Sequence, residues 1–214
     1  MAKQVKTQVG NLKYVFIKGE GRNQALKGEE PRMQYVASIV TKKDSPLHKD
    51  ILEQINAEWN DYKKAKGIKG LPKTNGIKDV MVNDPKGTID PQTEEVMKVP
   101  SGEVLITFKT NTKWANGDTQ VVKVKDRKGN DITAAYSKVD YAIGEGSQGR
   151  IFGTASANDI GGTNKVTLYL TGIQLAKLVK YIGNDFEADE IDGEDIDIDE
   201  DFTSEVNVNE TPQL

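Results

Sequence analysis

Positive and negative charge are separated along this chain of 214 residues. Residues 185–214 contain 13 of the 33 acidic residues and no lysine or arginine, whereas residues 1–184 carry the other 20 and all 29 basic residues. A run of like charge with few large apolar side chains cannot bury enough surface to offset its conformational entropy. We expect one globular, positively charged domain over residues 1–184 and a disordered acidic interaction tail over residues 185–214.

Composition excludes several classes of site. The chain has no cysteine, so disulfides, thiolate zinc sites and cysteine nucleophiles are excluded. Residues 1–6 lack the apolar run of a secretory signal, and no stretch reaches the roughly 18 apolar residues that a membrane span requires. We therefore expect a cytoplasmic protein with no membrane contact and no cofactor.

Alternating residues predict two strands in the first part of the chain. Tyr14 and Phe16 alternate with Val15 and Ile17, which places the two aromatic rings on one face and the two aliphatic side chains on the other. After a glycine-rich, charged loop, residues Tyr35–Val40 provide a second strand.

A long amphipathic helix follows the second strand. Ser45 is a favourable N-cap residue, and Pro46 suits the first helical position, where its missing N–H costs nothing. Apolar residues then recur at spacings of three and four: Leu47, Ile51, Leu52, Ile55, Trp59 and Tyr62. The pattern predicts one helix that ends near Gly67, with Trp59 and Tyr62 packed against the sheet.

The second half of the chain has a strong β pattern. Residues 68–101 form a long excursion punctuated by proline and glycine, and the sequence indicates no role for it. Alternating segments follow: Val104, Ile106 and Phe108; Val122 and Val124; Gly149–Ala155; and Val166, Leu168 and Leu170. Short strands with one long helix after the second predict a mainly β fold, an OB-fold-like five-stranded barrel.

The sequence contains no motif that strongly indicates a nucleotide, catalytic or metal site. Residues 144–149 match the G-x-G-x-x-G dinucleotide fingerprint, but Arg150–Thr154 after them has the pattern of a strand rather than a helix, which favours a loop between strands. His48 is the only histidine, so a Ser-His-Asp triad lacks support and a multi-histidine metal site is excluded. An enzyme that uses carboxylates alone remains open, although no acidic pair stands out. We predict no catalytic residue and no metal site.

Lysines lie on the polar side of the predicted strands, and one tryptophan lies in the turn that connects two of them. If the alternating apolar residues face the core, Lys109, Lys123 and Lys125 share the opposite face, with Lys113 and Trp114 in the connection. Exposed lysines are also ordinary on solvated strands. A tryptophan in a polar turn, however, has no obvious burial, and rings interleaved with cations suit unstacked bases joined by phosphates. The pattern favours single-stranded nucleic acid as the ligand.

The order of several short motifs resembles a known family. The motifs are Glu30-Pro31-Arg32, Lys43-Asp44-Ser45-Pro46 before the helix, Phe108-Lys109, Asp126-Arg127-Lys128-Gly129, Ile143-Gly144-Glu145-Gly146-Ser147, Val166-Thr167-Leu168-Tyr169-Leu170 with Gln174-Leu175, and the acidic tail. Together they resemble the single-stranded DNA-binding proteins of tailed bacteriophages, the T-seven-type replication proteins and their relatives. Those proteins carry an aromatic, basic segment before the last strand, whereas residues 155–164 here are small and polar.

The resemblance implies an OB-fold that binds single-stranded DNA without sequence specificity in phage DNA replication and recombination, in the host cytoplasm and often as a dimer. It also implies an acidic tail that recruits DNA polymerase and helicase-primase and competes for the DNA groove. The corresponding partner-binding residues are Asp195, Asp197, Asp199, Glu200, Asp201 and Phe202.

The residues and the resemblance together give one hypothesis, a coating protein without enzymatic activity. Bases would stack on Trp114, and on Tyr35 and Phe152. Phosphates would bind six cations: Arg32, Lys109, Lys113, Lys123, Lys125 and Arg150. Two alternatives remain, a protein-interaction or chaperone module whose acidic tail binds basic partners and whose body does not contact DNA, and the carboxylate enzyme.

Overall fold

Strands dominate the computed structural model, which describes residues 2–160 and 162–182. The strands are β1 Lys3–Lys6, β2 Gly10–Phe16, β3 Arg22–Asn23, β4 Met33–Lys42, β5 Ile77–Asn83, β6 Lys98–Asn111, β7 Lys123–Lys125, β8 Ala142–Ile143, β9 Gln148–Ile160, β10 Thr163–Lys177 and β11 Lys180–Tyr181. The helices are α1 Pro46–Lys66 and the short α2 Thr133–Tyr136. The prediction of a mainly β fold with one long helix is confirmed. The predicted acidic tail, including the six predicted partner-binding residues, lies outside the described residues.

Nine of the described strands form one sheet. Its hydrogen-bonded order is β5-β6-β4-β2-β9-β10-β7, with β1 on β9 and β3 on β4, while β8 and β11 pair separately. The sheet has more strands than the five predicted. The excursion at residues 68–101 accounts for part of the difference, because it supplies β5 and the first residues of β6, and short edge strands supply the rest.

A short segment, residues 73–76, links two distant strands of this sheet. The Val166 N–H of β10 donates to the Thr74 carbonyl at 2.9 Å, and the Thr107 N–H of β6 donates to the Gly76 carbonyl at 2.9 Å. The sheet therefore curls until the start of β10 lies beside the middle of β6. This closure places residues on the outer face of β6 near residues on the outer face of β10.

Inward-facing side chains fill the curled sheet. Val104, Ile106 and Phe108 on β6 are at most 2% exposed, as the alternation predicts. Gly153 on β9 faces the Phe108 ring, and a Cβ at this position would collide with that ring and with the Tyr169 carbonyl. A glycine is therefore required where the Phe108 ring crosses β9.

Helix α1 begins and ends where the sequence predicts. The Ser45 Oγ accepts a hydrogen bond from the His48 N–H at 3.2 Å, which satisfies one of the free donors of the first turn. At the other end Gly67 has a φ of 67°, and its N–H donates to the Lys63 carbonyl, as glycine C-caps commonly do. Among the described residues, no helix combines the length and apolar character that crossing a bilayer requires.

The helix packs on the sheet through its apolar stripe. Trp59 is 1% exposed, and its indole Nε1 donates to the Gly70 carbonyl at 3.0 Å. Its ring centroid lies 5.7 Å from that of Tyr62. Buried Glu58 accepts a hydrogen bond from the Ala157 N–H of β9 at 3.2 Å. The prediction that Trp59 and Tyr62 are packing residues is confirmed.

The glycine-rich segment at residues 144–147 is a loop between strands. It joins β8 to β9, and the Ser147 hydroxyl both donates to the Val179 carbonyl at 3.2 Å and accepts from the Val179 N–H at 2.9 Å. A strand follows this loop. The dinucleotide fingerprint requires a helix at this point, so the prediction of an interstrand loop is confirmed.

Candidate nucleic-acid interface

Three other cations gather around Lys109 on the outer face of β6. Burial lowers the pKa of the Lys109 ammonium, and the positive charges of Arg32, Lys78 and Lys165 lower it further. In residues 2–160 and 162–182, none of these four side chains forms a salt bridge with a carboxylate. We call Arg32, Lys78, Lys109 and Lys165 the Lys109 cluster. Four neighbouring cations without an ion-pair partner among the described residues form a candidate site for anions.

The fold brings the cluster together from four separate segments. Lys78 follows the linking segment 73–76, and an isolated bridge pairs Thr74 with Lys165 at the start of β10. Arg32 immediately precedes β4, and its Nη2 donates to the Gln24 carbonyl at 3.0 Å, which fixes the guanidinium. The cluster therefore depends on the closure of the sheet.

Trp114 lies at the end of β6 in a tight turn. Its N–H donates to the Asp118 carbonyl at 2.8 Å, and its carbonyl accepts from the Gly117 N–H at 2.9 Å. The Trp114 side chain is 57% exposed. With Lys113 and Tyr169 it lines an open depression of about 400 Å³. The prediction that Trp114 lacks burial is confirmed, and the structure places a second accessible ring beside it.

The outer face of β10 connects the Lys109 cluster to this depression. Lys165, Thr167 and Tyr169 alternate with the buried Val166 and Leu168, so the first three share the outer face. At about 3.3 Å per residue, Lys165 and Tyr169 are separated by roughly 13 Å along the strand. Cations and rings thus follow one another along a single strand face.

A second group of predicted residues lies further along the same sheet. Phe152 on β9 lies opposite Gly172 on β10, which in turn lies opposite Lys123 on β7. Arg150 on β9 and Lys125 on β7 are each two residues from these positions, on the same outer face. Both lie opposite Gln174 of β10. We call Lys123, Lys125, Arg150 and Phe152 the β7–β9 group.

The structure shows which strands carry the predicted lysines. Lys109 does not lie on a strand adjacent to Lys123 and Lys125, because β7 pairs in parallel with β10 rather than with β6. Lys123 also has a carboxylate partner, since its Nζ lies 3.4 Å from an Asp131 oxygen. The pattern identifies the correct face of each strand but not the neighbouring strand.

Tyr35 does not occupy the position that base stacking requires. It is 4% exposed, and its hydroxyl donates to the Gly19 carbonyl at 3.1 Å. Burial raises the pKa of the Tyr35 hydroxyl. Tyr35 pairs with Thr110 and shares the inner face of the sheet with Ala37 and Ile39, so it is part of the hydrophobic core. We therefore remove Tyr35 from the candidate site.

Sequence reasoning misses three members of the site. Lys78 lies in the excursion for which the sequence indicates no role, and Lys165 is indistinguishable from other solvated lysines. Tyr169 carries a usable signal, because it is an aromatic residue on the polar side of a strand whose other side is apolar. In the part of the chain that the structure describes, no group of three or more metal-ligating side chains could hold a metal ion.

Comparison with solved structures finds similar folds in two phage proteins. One is gp2.5, a single-stranded DNA-binding protein encoded by bacteriophage T7, with 14% identity, a TM-score of 0.55, and coverage of 87% of this chain and 98% of that one. The other is the single-stranded DNA-binding protein from bacteriophage Enc34 in complex with single-stranded DNA, with 16% identity, a TM-score of 0.53, and coverage of 84% and 89%. No protein-family profile matches the sequence, and no curated protein is significantly similar to it. The resemblance to phage single-stranded DNA-binding proteins is confirmed at the level of the fold.

Proposed function

We propose that this chain binds single-stranded DNA without sequence specificity and has no enzymatic activity. The observation that carries the proposal is the Lys109 cluster, four cations without a carboxylate partner among the described residues, which the outer face of β10 connects to the exposed ring of Trp114. A nucleic-acid strand supplies one negative charge per nucleotide, which such a cluster can neutralise. Unpaired bases supply flat rings that stack on aromatic side chains whatever the base, so the binding is not sequence specific.

The strand follows the outer face of β10 in this proposal. Phosphates bind the Lys109 cluster and Lys113, and bases stack on Trp114 and Tyr169. The β7–β9 group continues the same face beyond Tyr169, with Phe152 as a further ring. From Lys165 to Gln174 the face spans about 30 Å at the rise of a β-strand. Site sizes of ~4–16 nucleotides are usual for one OB-fold, and this length is compatible with such a site.

Two further observations support a place among phage DNA-binding proteins. Five strands are consecutive in the sheet, in the order β6-β4-β2-β9-β10. Residues 73–76 form backbone hydrogen bonds with both β6 and β10, and so connect the two ends of this row. This arrangement supports a partly open five-stranded barrel of the OB type. Both similar structures are phage proteins described as single-stranded DNA-binding, and one of them is in complex with single-stranded DNA.

The remaining parts of the proposal come from the sequence and the resemblance. Residues 1–184 form the DNA-binding domain, and residues 185–214 form an acidic tail that recruits replication partners such as DNA polymerase and helicase-primase. The protein acts in phage DNA replication and recombination in the host cytoplasm, as a homodimer. Asp195, Asp197, Asp199, Glu200, Asp201 and Phe202 are the proposed partner contacts, and they lie outside the described residues.

Tryptophan fluorescence tests the proposed contact directly, because the chain has only two tryptophans. Trp59→Phe leaves Trp114 as the only tryptophan, and with excitation selective for tryptophan we expect oligothymidine to quench its emission. Trp114→Ala should weaken binding by about 5- to 150-fold, the equivalent of ~1–3 kcal/mol for one stacked base. Ile89→Ala, an exposed apolar change in the β5–β6 hairpin, is the matched control.

The same titration with duplex DNA and with magnesium present separates the alternatives. Tighter binding to the single strand, with no cleavage, supports the proposal. Failure to bind any oligonucleotide would instead support the protein-interaction or chaperone module. Cleavage of a labelled oligonucleotide in the presence of magnesium would support the carboxylate enzyme.

A further inference from the structure

Two exposed rings on β2 are not part of the interface described above. Tyr14 is 47% exposed and Phe16 is 40% exposed. The Arg22 guanidinium carbon lies 5.9 Å from the Tyr14 ring centroid and 5.2 Å from that of Phe16, and the Lys13 Nζ lies 5.5 Å from the Tyr14 ring. Rings and cations thus alternate here, as they do around Trp114.

The backbone of β2 departs from a regular strand to present these rings. Tyr14 has a φ of 53°, a left-handed conformation that is uncommon for a bulky residue. The pairing of β2 with β4 shifts register between Lys13 and Phe16, which indicates a β-bulge. Leu12 and Val15 are both buried although they are three residues apart, so the extra residue lets Lys13, Tyr14 and Phe16 all face outward. Strain of this kind persists where the surrounding structure or function requires it.

The two rings flank the Lys109 cluster. Phe16 lies opposite Val36 of β4, and Val36 lies opposite Lys109 of β6, so the three share one row on the outer face. Two strand spacings place the backbone of Phe16 about 10 Å from that of Lys109. Tyr169 and Trp114 line the depression between β6 and β10, so the cluster has exposed aromatic rings on two sides.

We propose that Tyr14 and Phe16 form a second base-stacking surface for single-stranded DNA. The inference rests on the proposed function, since it names the path of the strand at the same site. A strand that crosses the Lys109 cluster stacks bases on Trp114 and Tyr169 on one side and on Tyr14 and Phe16 on the other. Arg22, which covers both rings in the free protein, moves from the ring faces to a neighbouring phosphate when bases stack.

Tyr14→Gly separates this role from folding. Glycine adopts a φ of 53° without strain, and this relief offsets the greater entropy of the unfolded chain, so the variant should unfold at close to the wild-type temperature. Its affinity for oligothymidine should nevertheless fall by about 5- to 150-fold, the loss expected for one stacked base. Phe16→Ala should show a similar loss, and Ile89→Ala should bind as the wild type does.

Photocrosslinking with an oligonucleotide that carries a halogenated uracil gives a direct measurement. Crosslinks to Tyr14 or Phe16 support the inference. Wild-type affinity in both variants, without crosslinks on β2, would overturn it while the proposed function stands. If the wild-type protein binds no oligonucleotide, the proposed function fails and the inference fails with it.

Discussion

Replacement of Lys109 by glutamine should affect stability and DNA binding in opposite directions. Lys109 is half-buried beside the positive charges of Arg32, Lys78 and Lys165, and within the described residues it has no carboxylate partner. Removal of its charge relieves repulsion in the folded protein, so the unfolding temperature should stay the same or rise. Affinity for single-stranded DNA should fall, because a phosphate loses its cation.

The number of cations in the Lys109 cluster sets the expected magnitude. If each of the four neutralises one phosphate, the cluster contributes about −2.8 to the slope of log affinity against log salt concentration. A fourfold rise in salt then weakens binding by about 50-fold through these contacts. Lys109→Gln should make the slope less steep by about 0.7, whereas Lys109→Arg should preserve it.

The pKa of Lys109 gives a second, independent measurement. Burial and the three neighbouring cations lower the pKa of this ammonium in the free protein, and a bound phosphate raises it again. At a pH between the pKa of free Lys109 and its pKa in the DNA complex, Lys109 takes up a proton when DNA binds. The affinity for DNA therefore falls as pH rises through the lowered pKa of the free protein. The unfolded chain holds the proton to a higher pH than the folded chain, so the free energy of unfolding rises with pH in the same window.

Fluorescence anisotropy of labelled oligothymidine, measured across salt concentration and alkaline pH, provides the assay. Lys128→Gln, in the exposed turn after Asp126, is the control for a loss of charge outside the cluster. An unchanged salt slope in Lys109→Gln, together with wild-type pH dependence, would show that Lys109 does not contact the phosphates. A large fall in unfolding temperature would show that the repulsion argument is wrong.

Two further predictions concern the core and the tail. Trp59→Ala removes a side chain that is 1% exposed, so chemical denaturation should show a loss of ~3–5 kcal/mol in the free energy of unfolding. The folded fraction should keep wild-type affinity for DNA. A loss of less than ~1 kcal/mol would contradict the packing of Trp59 in the core. Deletion of residues 185–214 should tighten binding to single-stranded DNA at low salt, since a tethered polyanion at high effective concentration is removed, and the gain should shrink as salt screens the charges. Equal affinity of the two forms at low salt would show that the tail does not compete with DNA.

Local pattern determines much of this protein. The caps at Ser45 and Gly67 and the apolar stripe between them specify α1 without reference to the rest of the chain. Strict alternation specifies which side chains of β6 face the core, and the polar turn around Trp114 leaves that ring exposed. These features depend on residues within a few positions of one another, so a sequence is enough to predict them.

Tertiary structure alone decides which outward residues become neighbours. The alternation of apolar and polar residues predicts that Lys109, Lys123 and Lys165 face outward. Hydrogen bonds made by residues 73–76 place Lys165, and not Lys123, beside Lys109. Tyr35 lies on the core-facing side of β4 with Ala37 and Ile39. Val36 and Ser38 on the other side are buried as well, so the sequence of β4 alone does not show which side faces the core. The period of a strand fixes the face of each side chain, whereas strand order depends on backbone hydrogen bonds and burial between segments far apart in the chain.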